Sequence, residues 1–258
     1  MPLSNFNLAI NKTLTDSSIK ADEVSSSLIQ SAYLSNDRTL QFWTSALVVL
    51  PVFLQAPWAH LNPLSASLFT FFILLCGVLL SRLGGERWFQ VGSLLIGVSG
   101  SWLGGSLFWG WLREYPVLHI PVEAVALPIA FIGLSTRWRL GAVFYLACLL
   151  GTALTDLMML LTGVMSRWPD VVKASLKDAP AILHQTAVEL LSFYSISLLI
   201  IAACFIGLVA YQMKRRAKLV SEEGGIWLVA SAALSTTLWV DGLFLITAFV
   251  QPRLSGLI

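Results

Sequence analysis

An all-α bundle of about seven membrane-crossing helices is the fold this sequence predicts, and three observations carry the prediction. Of 258 residues, 57% are hydrophobic and only 12% charged, about half the charged share of an ordinary soluble domain. From residue 40 onward the chain divides into apolar runs near the length a helix needs to cross a hydrocarbon layer of roughly 30 Å. The 16 Lys and Arg residues fall between those runs and favour alternate loops. With 14 acidic side chains added, the charged groups are too few to give a chain of this length a polar skin, so most of its surface must meet lipid. A net charge of +2 provides no field for nucleic acid, and no basic run alternates with aromatics as a binding groove would require.

The elements follow in order. Residues 1–39, rich in Ser, Asn, Thr and Asp, form a polar tail expected to be flexible, without the basic start and apolar core of a secretory signal. A short amphipathic helix within Ile19 to Leu34 is the one element this tail offers. A transmembrane domain over residues 40–250 then contains seven runs: Leu40 to Ala56, Leu64 to Leu80, Val91 to Trp111, Val117 to Leu134, Leu140 to Met165, Ile182 to Tyr211 and Ile226 to Val250. The sixth is long enough for its start to lie along the interface before turning inward. Six spans remain if the proline-interrupted fourth is re-entrant. Residues 251–258 form a short C-terminal tail.

Eleven of the 16 basic residues fall in segments on one side, if the N-terminus is placed inside. The strongest marker is QMKRRAK, with Lys214, Arg215, Arg216 and Lys218, directly after the sixth run. Arg113, Arg167, Lys173, Lys177 and Arg253 remain outside. This bias predicts an inner N-terminus and an outer C-terminus. The longest outer loop, SRWPDVVKASLKDAP, places Trp168, Val171, Val172 and Leu176 on one helical face and Asp170, Lys173 and Lys177 on another. It reads either as an interfacial helix or as an ordinary polar loop. Trp43, Trp88, Trp138 and Trp227 on one side, with Trp58, Trp111 and Trp168 on the other, fit interfacial aromatic belts.

Small residues mark helix contacts. Gly97, Ser101 and Gly105 recur at spacing four in the third run, with Gly100 and Gly104 on an adjacent face, and Ala147 and Gly151 repeat the device in the fifth. Such stripes let backbones approach where lipid removes the hydrophobic drive, here within one chain. Pro51 and Pro128 lie inside spans and free the carbonyls of Leu47 and Ala124. Cys76, Cys148 and Cys204 sit in apolar runs without metal spacing and behave as core residues.

The residues with chemistry to offer are acids inside apolar runs: Glu123, Asp156, Glu189 and Asp241. Each ionised group at mid-bilayer costs about 2.5–3.5 kcal/mol, so these four should face the bundle interior or water, or be protonated. In the inferred orientation all lie in outer halves, and His60, His119 and His184 lie at or near the outer boundary. This placement suggests an outward-opening cavity lined by carboxylates, with imidazole at its mouth. Thr152, Thr237 and Gln185 precede Asp156, Asp241 and Glu189 by four residues and share their helix faces, as His119 does with Glu123. Simpler explanations exist. Glu123 fits the first turn of a helix beginning near His119, where the helix dipole favours an acid, and Glu189 is interfacial if the sixth span begins later. Asp156 and Asp241 are deeper and harder to excuse.

No GxxxxGKS/T phosphate loop, HExxH or GxSxG motif occurs, so an ATPase, zinc protease or serine hydrolase has no support and no cofactor is assigned. The stretches VFLQAPWAHLNP, LREYPVLHIPVEAVALPIAFIGLSTRWRLGAVFYLACLLGTALTDLMMLLTGVM and RWPDVVKAS resemble a cyanobacterial family of multi-pass membrane proteins of unassigned function. That resemblance implies a cyanobacterial thylakoid or plasma membrane and carries over no catalytic residue. Two functions are therefore expected to compete: transport or binding of a small solute or cation through the outer carboxylates, and a non-catalytic accessory or assembly role beside other membrane subunits of photosynthetic complexes.

Overall fold

A computed structural model describes residues 37–175, 177–219 and 223–250. The tail helix expected within Ile19 to Leu34, the C-terminal tail and Leu176 lie outside these residues. The chain divides into two units, Met1–Thr39 and Leu40–Ile258. All regular elements among the described residues are helical, and seven helices are long and apolar enough to cross a membrane.

These seven are α1 (Asp37–Leu61), α2 (Pro63–Leu83), α3 (Glu86–Leu112), α4 (Pro116–Gly133), α5 (Arg139–Leu161), α8 (Phe193–Leu219) and α9 (Gly224–Val250). Between α5 and α8 lie two shorter helices, α6 (Val164–Lys173) and α7 (Ala179–Glu189). The fourth run is therefore among the helices long and apolar enough to cross. The sixth starts at Phe193, eleven residues later than the apolar run, because the chain turns at 190–192 and gives Ile182–Glu189 to α7. Ser192 fixes the restart, taking the backbone N–H of Ser195 at 3.2 Å on its Oγ.

Local sequence accounts for the boundaries and irregularities. Asn62 is the whole turn between α1 and α2, and its side chain accepts the Ser65 N–H at 3.2 Å, with Pro63 at the first helical position. At Pro51, α1 widens into a π-helical turn over Pro51–Gln55, and the N–H of Ala56 reaches Pro51 O. The wide turn carries Gln55, which is buried and donates to Trp102 O and, at 2.8 Å, to Ser106 Oγ on α3. In α4, which holds Pro116, Pro121 and Pro128, α-helical turns alternate with 3₁₀ turns at Pro116–Leu118 and Ala124–Ala126.

The central helix is α3: 61% of its apolar window is buried, against 6% for α4. Its enclosed face is built from small residues, among them Gly92, Ser93, Gly97, Gly104, Gly105 and Ser106. They bring backbones together, and Gly141 N–H of α5 donates to Ser93 Oγ at 3.0 Å. Helices α2 and α5 pack on α3, α4 lies along α3 and α5, and α9 joins α5 to α8. Leu94, Val98, Trp102, Phe144, Leu228 and Val229 form the core. Outward faces are apolar. Phe71, Ile129, Phe193 and Trp239 are 71%, 73%, 89% and 80% exposed, a surface suited to lipid and not to water.

The two ends differ in chemistry. At one end Arg137 donates to Ser81 O at 3.2 Å and lies over the rings of Phe89 and Trp138, 5.0 and 4.8 Å from their centroids. Arg139 there pairs with Glu223 at 3.1 Å, and the exposed Lys214, Arg215, Arg216 and Lys218 close α8. At the other end α6 is laid across the turn between α3 and α4. Trp168 Nε1 donates to Arg113 O at 2.8 Å, and Lys173 pairs with Glu114 at 3.4 Å.

A carboxylate–imidazole cluster as the candidate functional site

Three spans converge near the end covered by α6. The widened turn Phe108–Leu112 closes α3 and presents Phe108 and Trp109 to α4. Four residues earlier Gly104 lets α4 approach: a Cβ there would stand 2.6 Å from the Cα of Glu123. The short α-helical turn His119–Glu123 then puts both of its polar ends on one face. His119 Nε2 lies 3.3 Å from Glu123 Oε1, and His119 Nδ1 lies 3.1 Å from each carboxylate oxygen of Asp156 on α5. Phe108 stacks on the imidazole at 4.0 Å between centroids, and Trp109 meets it edge-on at 6.4 Å. The three polar side chains are only 13–16% exposed.

The backbone supports this arrangement. Because the 3₁₀ turn sends the Leu127 N–H to Ala124 O, the carbonyl of Glu123 is available to Tyr145, whose hydroxyl donates to it at 2.6 Å. Thr155, next to Asp156, and Thr152, one turn before it, bond their own helix at Gly151 O and Cys148 O. Thr155 also donates to Asp241 Oδ2 of α9 at 2.6 Å, so the fourth span of the cluster is tied to the residue beside Asp156. Measured along their helices, His119 is about 5 Å, Asp156 about 8 Å and Asp241 about 14 Å from the end of the span at this side.

Ionised carboxylates only accept hydrogen bonds, so an imidazole between two of them satisfies both when each ring nitrogen carries a proton. Moving one of those protons onto a carboxylate leaves the same total: the triad then consists of an acid, a neutral imidazole and a carboxylate. Both forms carry a net charge of −1. The arrangement can therefore shift a proton internally without changing its charge, and can accept another to become neutral.

Not every residue singled out from the sequence joins the cluster. Glu123, Asp156 and His119 meet directly, and Asp241 adjoins them through Thr155. Glu189 ends α7, pairs with Arg167 of α6 at 3.0 Å and is half exposed. His184, also on α7, lies 3.2 Å from Ala248 O of α9 and apart from His119. Of the expected partners four residues back, His119 meets Glu123, and the other three do not serve their acids. Thr152 and Thr237 return their hydroxyls to Cys148 O and Ala233 O, and Gln185 is exposed. A helical threonine has its own preceding turn within reach, and that local bond wins. The residues that sequence reasoning missed are Phe108, Trp109, Tyr145 and Thr155. Only Thr155, adjacent to Asp156, carried a visible signal.

Trp168 stacks edge-on against Trp109 at 5.9 Å between centroids, so α6 is joined through one ring to the ring beside His119. Its amphipathic pattern is realised: Trp168, Val171 and Val172 are partly covered, while Asp170 and Lys173 are exposed. Beside it an open hollow of about 610 Å³ is lined by Glu114 of the turn between α3 and α4, Val117 and Leu118 from the start of α4, Leu160 of α5, and Met165 and Pro169 of α6. Among the described residues no group of three His, Cys, Asp or Glu side chains is disposed to hold a metal ion.

Fold and site define a helical membrane-type bundle with a shielded acid–imidazole cluster in its spans. Residues 44–249 match the family described as protein of unknown function (DUF3120), and the chain belongs to that family. No curated protein and no solved structure matches it.

Proposed function

We propose that the protein binds and transports a small solute or cation, which reaches the cluster of His119, Glu123, Asp156 and Asp241 from the end covered by α6. The observation that carries this reading is the direct contact of one imidazole with carboxylates from two helices of a largely apolar bundle. Ionisable groups at membrane depth are expensive to retain, and a set that converges is more useful to a passing ligand than to stability. The basic residues at the opposite end support an orientation with that end, and the N-terminus, inside. The mouth would then face outward, and α6 would lie on the outer surface. By the resemblance of the sequence, the membrane is the thylakoid or plasma membrane of a cyanobacterium.

Purified protein in proteoliposomes, challenged with a panel of amines, amino acids and inorganic cations, tests the reading. Uptake or current for at least one of them is expected, and the D156N/D241N double variant should lose it while keeping its helical content and elution volume. Undiminished uptake by a folded double variant removes the site. A second reading, an accessory or assembly role, draws support from α8, which packs on α9, barely touches α5 and leaves an apolar cleft between Leu154, Met158, Ile201 and Phe205. Affinity isolation in mild detergent at native expression separates the two, since an assembly factor recovered alone has lost its role.

A further inference from the structure

We infer that the cation this site takes is the proton, so that any transport it performs is coupled to H⁺ and not to a metal ion. The inference rests on the transport reading for its coupling, and on the geometry of the triad for the identity of the ion. A hard metal cation bound between Glu123 and Asp156 would need six or more oxygen ligands closing around one point. The imidazole of His119 occupies the space between these two carboxylates, with Asp156 presenting both oxygens to Nδ1 and Glu123 presenting one to Nε2. Of the other oxygens nearby, the Glu123 carbonyl accepts from Tyr145 and one carboxylate oxygen of Asp241 accepts from Thr155. A metal ion would have to expel the histidine and break the stack on Phe108.

A proton needs no such rearrangement. Added to the form with an acid, a neutral imidazole and a carboxylate, it charges the ring and leaves an imidazolium between an acid and a carboxylate. The charge of the group changes from −1 to 0. A neutral cluster is far cheaper to enclose in apolar surroundings than a charged one, so loading with H⁺ is the step that permits the site to be closed off from water. Among the described residues no other charge facing the imidazole competes for this role. From α3 it is faced by Phe108 and Trp109, from its own helix by Glu123, and from α5 by Asp156. Asp241 of α9 follows behind Thr155, and Arg167 of α6 is held by Glu189.

Trp109 provides the readout, because an imidazolium beside an indole quenches its fluorescence. In the full-length protein in detergent, emission should fall as pH is lowered through the titration of the triad. Saturating Na⁺, K⁺, Mg²⁺ or Ca²⁺ should leave the midpoint where it was, and H119Q or W109F should abolish the transition. A midpoint displaced to lower pH by one of the metal ions, as a competitor for the carboxylates would displace it, overturns the inference on the unmutated protein. A transition that persists in H119Q overturns it as well. Proteoliposome currents keep this result distinct from the transport reading. Currents driven by metal-ion jumps but not by pH jumps leave transport standing and refute the proton. A metal-insensitive titration without current of any kind supports the proton site and refutes transport.

Discussion

Tyr145 shows how the cluster is held at the scale of one residue. Its hydroxyl ties α5 to the Glu123 carbonyl at 2.6 Å, where the 3₁₀ turn of α4 has redirected a backbone bond. Removing that hydroxyl leaves a carbonyl without its partner in apolar surroundings, which costs about 1 kcal/mol and up to about 3 if water cannot reach it. Y145F is therefore expected to melt several degrees lower in detergent. An unchanged melting midpoint would mean that the bond does not hold α4 in place. At the same scale, the acids themselves were legible in the sequence, because a carboxylate in an apolar run is costly wherever it lies. Of their partners, only His119, four residues before Glu123, was legible. Thr152 and Thr237 stood at the right spacing and bonded backward within their own helices, while Thr155 reached across to Asp241. Which side chain crosses between helices depends on their relative rotation, and a single sequence does not encode that openly. The ion pairs at the surface, Arg167 with Glu189 and Lys173 with Glu114, are roughly half exposed, and each contributes no more than about 1 kcal/mol.

At the scale of elements, α4 and α6 carry the argument. The small residues of α3 announced a close approach, and Gly104 is where α4 makes it, opposite the Cα of Glu123. G104A places a methyl group into that contact and is expected to cost about 1–3 kcal/mol, to lower the melting midpoint and to weaken the His119–Asp156 pairing by displacing α4. Its Trp109 emission would then depend less steeply on pH. Full retention of both properties would contradict the assignment of this contact. Helix α6 follows Gly163, whose φ of 79° is the one positive value among the described residues and favours glycine. It is held by one indole hydrogen bond, one ring contact and exposed ion pairs. W168A removes the first two, worth about 1–2 kcal/mol, so amide exchange over residues 164–173 should quicken about 5- to 30-fold while the spans stay protected. Exchange unchanged in α6 would show that Trp168 does not hold it. The sixth apolar run illustrates the limit of run length as a guide: hydropathy continues through Ile182–Glu189, but the turn at 190–192 separates α7 from α8.

For the whole molecule, seven apolar helices were the most legible feature, because the bilayer imposes a length and a composition that any single sequence displays. The arrangement around α3 was legible only as a stripe of small residues. Orientation has its own test. With the native cysteines replaced, a maleimide that does not cross membranes should label S175C from outside intact cells and K218C only after permeabilisation. The reverse pattern would turn the molecule over and place the mouth of the cluster inside. The central claim, that one imidazole and the acids around it form a site through which charge moves, is tested most directly by the current that reconstituted protein passes on a solid-supported membrane after a pH jump. A transient current is expected from the unmutated protein and its loss from a folded D156N variant. A D156N protein that passes the same current as its parent would contradict the account.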